Sequence, residues 1–176
     1  MSQLYQMQVT FAPVEDRLLF RVNTKERQEF RFWMTRRYVG LLWKTVLGYL
    51  RNRQAPENPV VAKAPEPIKD ALIAKEHEEQ VAKSDFKTQY QESSYLPLGE
   101  APLLLFGVGI KDGPEGQAIL CMHPQNGEGI EVTLNDQITH SLCRLIADAT
   151  KKAEWSLDLD FKQASEFFTD QGPGLN

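Results

Sequence analysis

The stretch 28-QEFRFWMTRRYVGLLWKTVLGYLR-51 changes its hydrophobic period once, and that change decides the fold. Phe30, Phe32 and Met34 alternate with Glu29, Arg31 and Trp33, the period of a strand with one buried face. From Val39 the spacing becomes helical: Val39, Leu42, Trp43, Val46 and Leu50 form one stripe. Thr35 stands at the changeover, where its side-chain oxygen can accept from a free backbone N–H of the first helical turn. One strand therefore leads through a capping residue into one helix.

Two more strands precede it. Tyr5, Met7, Val9 and Phe11 alternate with Leu4, Gln6, Gln8 and Thr10, and Leu18, Phe20 and Val22 alternate with Arg17, Leu19, Arg21 and Asn23 after the turn-like segment Ala12–Asp16. The connections are too short for crossovers, so the three strands are expected to form an antiparallel meander with the helix over its apolar face.

Downstream the composition shifts. Gln54–Asp70 carries Pro56, Pro59, Pro65 and Pro67 and reads as an extended linker. Ala71–Gln91 is charged, rich in helix formers and free of Pro and Gly, which predicts a largely solvated helix. Such a helix would serve as a lid, a dimer arm or a spacer. After a loop over 93–102 the first pattern returns. Leu104, Phe106, Val108 and Ile110 form one predicted inward set, with Gly107 and Gly109 marking a bulge or close packing. Ala118, Leu120 and Met122 form the next, followed by Ile130, Val132 and Leu134. Asn135 then caps a helix striped by Ile138, Leu142, Leu145, Ile146 and Ala149.

Adding 100 to the residue number takes Phe30, Phe32 and Met34 to Ile130, Val132 and Leu134, and Thr35 to Asn135. The expected architecture is α+β: two β-β-β-α units forming antiparallel sheet, with helices on one face, joined by the Pro-rich linker and the charged helix. The units span 1–53 and 102–162, with the connection at 54–101 and a tail at 163–176 that is expected to be disordered from Asp170 onward, all within one compact domain. Trp155, Leu157, Leu159 and Phe161 alternate with polar residues and predict an additional edge strand, after which Phe167 and Phe168 dock.

The composition, 41% hydrophobic and 25% charged, is that of a globular chain. No apolar run reaches the roughly 20 residues a bilayer span needs, so no membrane role is expected. The N-terminus lacks the basic-then-apolar pattern of a signal peptide. Two cysteines are too few for a disulfide framework, which together point to a cytoplasmic setting. The net charge of −4 conceals a polarity, because residues 1–54 carry +6 and the rest carry −10. Either the basic half binds an anion or the two halves pack with complementary charge.

Three groups of side chains are candidate sites. Arg17, Arg21, Arg31 and Trp33 share the outward face of the first meander, cations interleaved with an aromatic as a single-stranded nucleic-acid platform requires. The structural alternative has Arg31 stacking on Trp33. Arg36 and Arg37 follow the cap, where the helix dipole favours an anion; a salt bridge to Glu29 or to the 76–79 region competes with that reading. Leu103, Leu105, Ile119 and Cys121 form an apolar outward set on the second unit, a candidate interface. Cys121 with His123, and His140 with Cys143, have metal-ligating chemistry, but the alternation sets the two pairs on opposite sides of the sheet, where one tetrahedral ion cannot collect them. No metal, cofactor or catalytic set is expected, because phosphate-binding glycine loops, nucleophile elbows and HExxH are missing.

The segment EDRLLFRVNT…EFRFWMTRRYVGLLW resembles a group of small, uncharacterised proteobacterial proteins that share this N-terminal block, and the resemblance implies no activity. The doubled strand-strand-strand-helix order is also loosely similar to Whirly and PUR-type nucleic-acid-binding folds, which use four strands per repeat. Two functions follow as expectations. The first is a non-enzymatic protein-interaction or assembly module that self-associates as a dimer or takes another protein. The second is a single-stranded nucleic-acid binder acting through the basic, Trp-bearing sheet face.

Overall fold

The computed structural model describes residues 3–57, 59–159 and 161. Six strands form one sheet in the order β1(Leu4–Ala12), β2(Arg17–Thr24), β3(Glu29–Met34), β4(Leu103–Asp112), β5(Ala118–Pro124) and β6(Ile130–Leu134). Within each triplet the pairing is antiparallel, as short turns dictate. Between the triplets β3 and β4 run parallel, Phe32 opposite Leu103 and Trp33 opposite Leu104. A parallel neighbour demands a crossover, and the helices between β3 and β4 supply it. The two units thus build one continuous sheet.

The helices are α1(Arg36–Glu57), α2(Pro59–Ala62), α3(Glu66–Lys83) and α4(Asp136–Lys152). Both expected caps are present: Tyr38 N donates to Thr35 Oγ1 at 3.2 Å, and Ile138 N donates to Asn135 Oδ1 at 2.8 Å. The stripe Val39, Leu42, Trp43, Val46 and Leu50 is buried, and so are Leu142, Ile146 and Ala149 of α4. The helices do not simply cover their own meanders. α1 runs beside β4 and α4 beside β1, so each unit's helix is set against the other unit's first strand. Leu18, Phe20, Phe32, Met34, Leu120, Met122, Val132 and Leu134 from the sheet close one core with these stripes.

Four expectations are corrected. The Pro-rich stretch is not an extended linker, because α1 continues to Glu57, α2 follows at Pro59 and α3 begins at Glu66. Pro67 fits α3 because the N–H it lacks would have no helical partner in the first turn. Nor is α3 a solvated rod: it lies against α1 and α4 and buries Ala71, Ile73 and Ala74. Trp155, Leu159 and Phe161 belong to no strand; they fold into the core cluster instead. Glu154 and Ser156, both left-handed at φ 54 and φ 52, break the straight run that an edge strand needs. The expectations for Phe167, Phe168 and the tail lie outside the described residues.

The fourth correction concerns facing. A bulge between Leu105 and Gly107 exchanges the faces of the start of β4. Leu103 and Leu105 therefore turn to the core, Leu105 only 3% exposed, while Leu104 and Phe106 are 45% and 52% exposed. A second bulge, between Leu4 and Gln6, seats Leu4 against the core and turns Tyr5 out. A Cβ at Gly107 would meet the His123 ring where it now lies, so the glycine lets that ring rest over the strand.

Candidate functional site

The sheet face opposite the helices has a covered part and an open part. Register places Gln8, Arg21 and Arg31 in one row and Thr10, Leu19, Trp33 and Leu104 in the next. The segment 89–100 crosses the first row as a strap. Its backbone is caught by polar side chains of the sheet: Gln6 Nε2 donates to Gln89 O at 3.2 Å and Asn23 Nδ2 to Gln91 O at 2.8 Å. Glu29, buried, accepts from Ser93 N at 2.8 Å and from Arg31 Nε at 2.7 Å.

This strap engages two of the basic candidates. Arg21 pairs with Glu92 at 2.5 Å, donates to Gln8 Oε1 at 3.0 Å through Nε, and lies 4.8 Å from the centre of the Tyr90 ring. That guanidinium holds the Glu92 carboxyl below the usual carboxylate range. Arg31 pairs with Glu29 and reaches Glu100 O at 3.5 Å, and the Glu29 bond raises its pKa further. Tyr90 is lifted well above the ordinary phenol range, by burial first and by the Glu29 charge second. Arg21 and Arg31 thus hold the strap to the sheet.

Of the remaining basic candidates, Arg17 rather than Arg31 approaches Trp33, its guanidinium 6.0 Å from the ring centre, and it also faces Glu15 at 3.9 Å. Arg36 and Arg37 are exposed in the first turn of α1, which carries no acid. Neither takes part in an ion pair among the described residues, so the expected salt bridge to Glu29 or the 76–79 region is not formed. The structure brings Arg17 and Trp33 together, ties Arg21 and Arg31 under the strap, and leaves Arg36 and Arg37 apart.

The apolar candidates separate as well. Leu103 and Leu105 face the core, as described. Ile119 is on the outer face but buried, its Cδ1 against Gly113 of the β4–β5 turn. Cys121 is half-buried beside Ile119 O and Glu131, and its thiol is raised by burial and then by that carboxylate. What remains open is a row that sequence reasoning missed in part: Leu19, Trp33, Leu104 and Phe106, crossing β2, β3 and β4. All four residues of Leu103–Phe106 are apolar, so alternation alone cannot tell which pair is outside.

A second polar cluster lies between the helices and gave no spacing signal. Arg53 of α1 pairs with both Glu76 of α3 and Asp136 of α4. His140, buried, meets His77 with Nδ1 atoms 3.1 Å apart, and its Nε2 faces Glu76 Oε2 at 3.8 Å, beyond hydrogen-bond reach. A contact between two Nδ1 atoms needs one donor and one acceptor, so the pair can carry at most one extra proton in this geometry. His140, then Arg53, holds the Glu76 carboxyl below its ordinary range against the opposing effect of burial. Cys143 is buried nearby on α4, its thiol pushed up to about 12 by burial, which removes its nucleophilic form at neutral pH.

No family model, no curated protein and no solved structure matches this chain. No helix among the described residues is long and apolar enough to cross a membrane.

Proposed function

We propose that the chain is a non-enzymatic protein-interaction module whose contact surface is the open sheet face centred on Leu19, Trp33, Leu104 and Phe106. The supporting observation is the exposure of Leu104 and Phe106 at 45% and 52% on β4, beside Trp33 of β3, while the strap covers the neighbouring row. An apolar centre with a polar rim is the anatomy of a protein contact, and leaving it in water is unfavourable at about 25 cal/mol per Å². The rim carries Arg17 facing Glu15 on the β2 side and Lys111 paired with Glu131 toward β6. A two-fold arrangement of two copies, outer face to outer face, buries both apolar rows against each other, so the partner in this reading is a second copy. Sedimentation velocity from a few to a few hundred micromolar tests it. The expected result is a concentration-dependent shift from monomer to dimer that Leu104→Asp with Phe106→Asp abolishes. A strictly monomeric protein overturns the dimer.

One observation favours a second reading. Trp33 and Phe106 are aromatics on adjacent central strands with Arg17 beside Trp33, the elements on which bases of a single strand stack. Fluorescence anisotropy with a labelled oligothymidylate at low and moderate salt tests it. Binding should weaken with salt and drop about tenfold on Trp33→Ala. Salt-insensitive binding, or none, sinks it.

A further inference from the structure

A cleft lies away from the apolar row, at the end of the first meander where the β2–β3 turn meets the strap. It has a volume of about 730 Å³, and Tyr5, Tyr95, Lys25 and Arg27 line it together with Ser93 and Ser94. Three departures from regular backbone converge there. The bulge between Leu4 and Gln6 turns Tyr5 out, leaving it 54% exposed. Arg27 adopts the left-handed region at φ 60, a conformation that glycine or asparagine fills more cheaply. An isolated bridge between Gln28 and Tyr95, with Glu29 N donating to Tyr95 O at 2.9 Å, sets Tyr95 at the rim, 57% exposed.

The polar groups of the floor are already bonded to each other. Asn23 accepts from Gln6 N at 2.8 Å and donates to Gln6 Oε1 and Gln91 O. Thr24 Oγ1 accepts from Gln28 N at 3.2 Å, and Ser93 Oγ donates to Arg27 O. Glu92, the acid lining the cleft, is paired with Arg21. Lys25 and Arg27 are different: both are exposed, and neither is in an ion pair among the described residues. The cleft therefore presents two uncompensated cations and two exposed aromatic rings on a floor whose own hydrogen bonds are satisfied.

We infer that this cleft binds a nucleotide, its phosphate on Lys25 and Arg27 and its base against Tyr5 or Tyr95. Rings with cations match a flat base that carries an anion. A concave cleft that sets two fixed charges beside aromatic rings is poorly suited to a purely apolar ligand. This site is distinct from the row through Trp33 and Phe106, and the inference stands without that surface. A free nucleotide and the terminal nucleotide of a single strand share this chemistry.

Titrations followed by amide NMR shifts, with AMP, adenosine, inorganic phosphate and an oligothymidylate as separate probes, test the inference on the full chain. The expected result is saturable shifts at Lys25, Arg27 and Tyr95 with AMP, weaker with adenosine and phosphate alone. Tyr5→Ala with Tyr95→Ala should lower the AMP affinity at least about tenfold. Lys25→Gln with Arg27→Gln should remove its salt dependence. All four side chains are exposed, so circular dichroism melts should remain near wild type. Oligothymidylate binding much tighter than AMP assigns the site to strand ends, and equal binding assigns it to free nucleotides. No saturable shift with any probe at millimolar concentration overturns the inference. So does binding that survives the tyrosine pair but falls with Trp33→Ala, or capture of a phosphotyrosine peptide alone.

Discussion

Glu76 illustrates how much a single side chain carries between the helices. It sits on α3, pairs with Arg53 of α1 and faces His140 of α4, and these groups hold its pKa below the ordinary carboxylate value of 4.5. A carboxyl whose folded pKa is depressed stabilises the fold above its unfolded pKa, and that contribution is lost as pH falls through the folded value. Stability should therefore decline as pH drops from about 4.5, and Glu76→Gln should flatten that part of the acid limb. At neutral pH the same change should cost about 1 kcal/mol, because Arg53 keeps Asp136. Urea melts of both proteins at several pH values between neutrality and about 3 measure the difference, and parallel curves would show that Glu76 is not the titrating group. Nothing in the sequence announced this cluster. His77 and His140 are 63 residues apart, and only the packing of α3 on α4 unites them. Thr35 and Asn135 were legible because a cap acts within its own first turn.

At the scale of elements, the helical stripes and the core strands were legible because their periods are local and unbroken. Val39 to Leu50 and Phe30 to Met34 needed no knowledge of their partners. The bulges were not legible, since one added residue exchanges every later face, and the apolar run Leu103–Phe106 satisfies either choice. Gly107 was the sole hint, and it marks the bulge as expected. The Pro-rich stretch misled for a different reason. Proline is excluded from helix interiors but suits first turns, so Pro59 can open α2 and Pro67 can sit in the first turn of α3, two starts using residues that forbid one long helix. The charged α3 misled because its buried stripe is narrow, carried by Ala71, Ile73 and Ala74. Ile73 is fully buried, so Ile73→Ala should cost about 3 kcal/mol, whereas Val60→Ala on exposed α2 should be nearly silent. Chemical denaturation measures both. Equal, small effects would mean that α3 is not docked in solution.

At the scale of the molecule, the two units are not separable. β3 and β4 join them edge to edge, α1 and α4 each run beside the other unit's first strand, and α3 lies against both. The chain after α4 completes the exchange. Trp155 is buried against the first unit, its ring 6.3 Å from Phe11 in an edge contact and its Nε1 donating to Asp16 Oδ1 at 2.8 Å. On the same segment Phe161 stacks near Trp43 at 5.1 Å and beside His77 at 4.7 Å. These residues tie the end of the second unit to the β1–β2 turn and to α1 of the first. The basic half is likewise joined to the acidic remainder by Arg21–Glu92, Arg51–Asp70 and Arg53–Asp136, which accounts for part of the charge polarity within one molecule. Such interlocking predicts a single cooperative transition in which Trp fluorescence and far-ultraviolet circular dichroism coincide. Trp155→Ala should lower stability by about 3 kcal/mol or more, through lost packing and a lost partner for Asp16, while the two probes continue to melt together. If the two signals instead separate in the wild-type protein, the halves unfold independently and the exchange of α1 and α4 does not couple them.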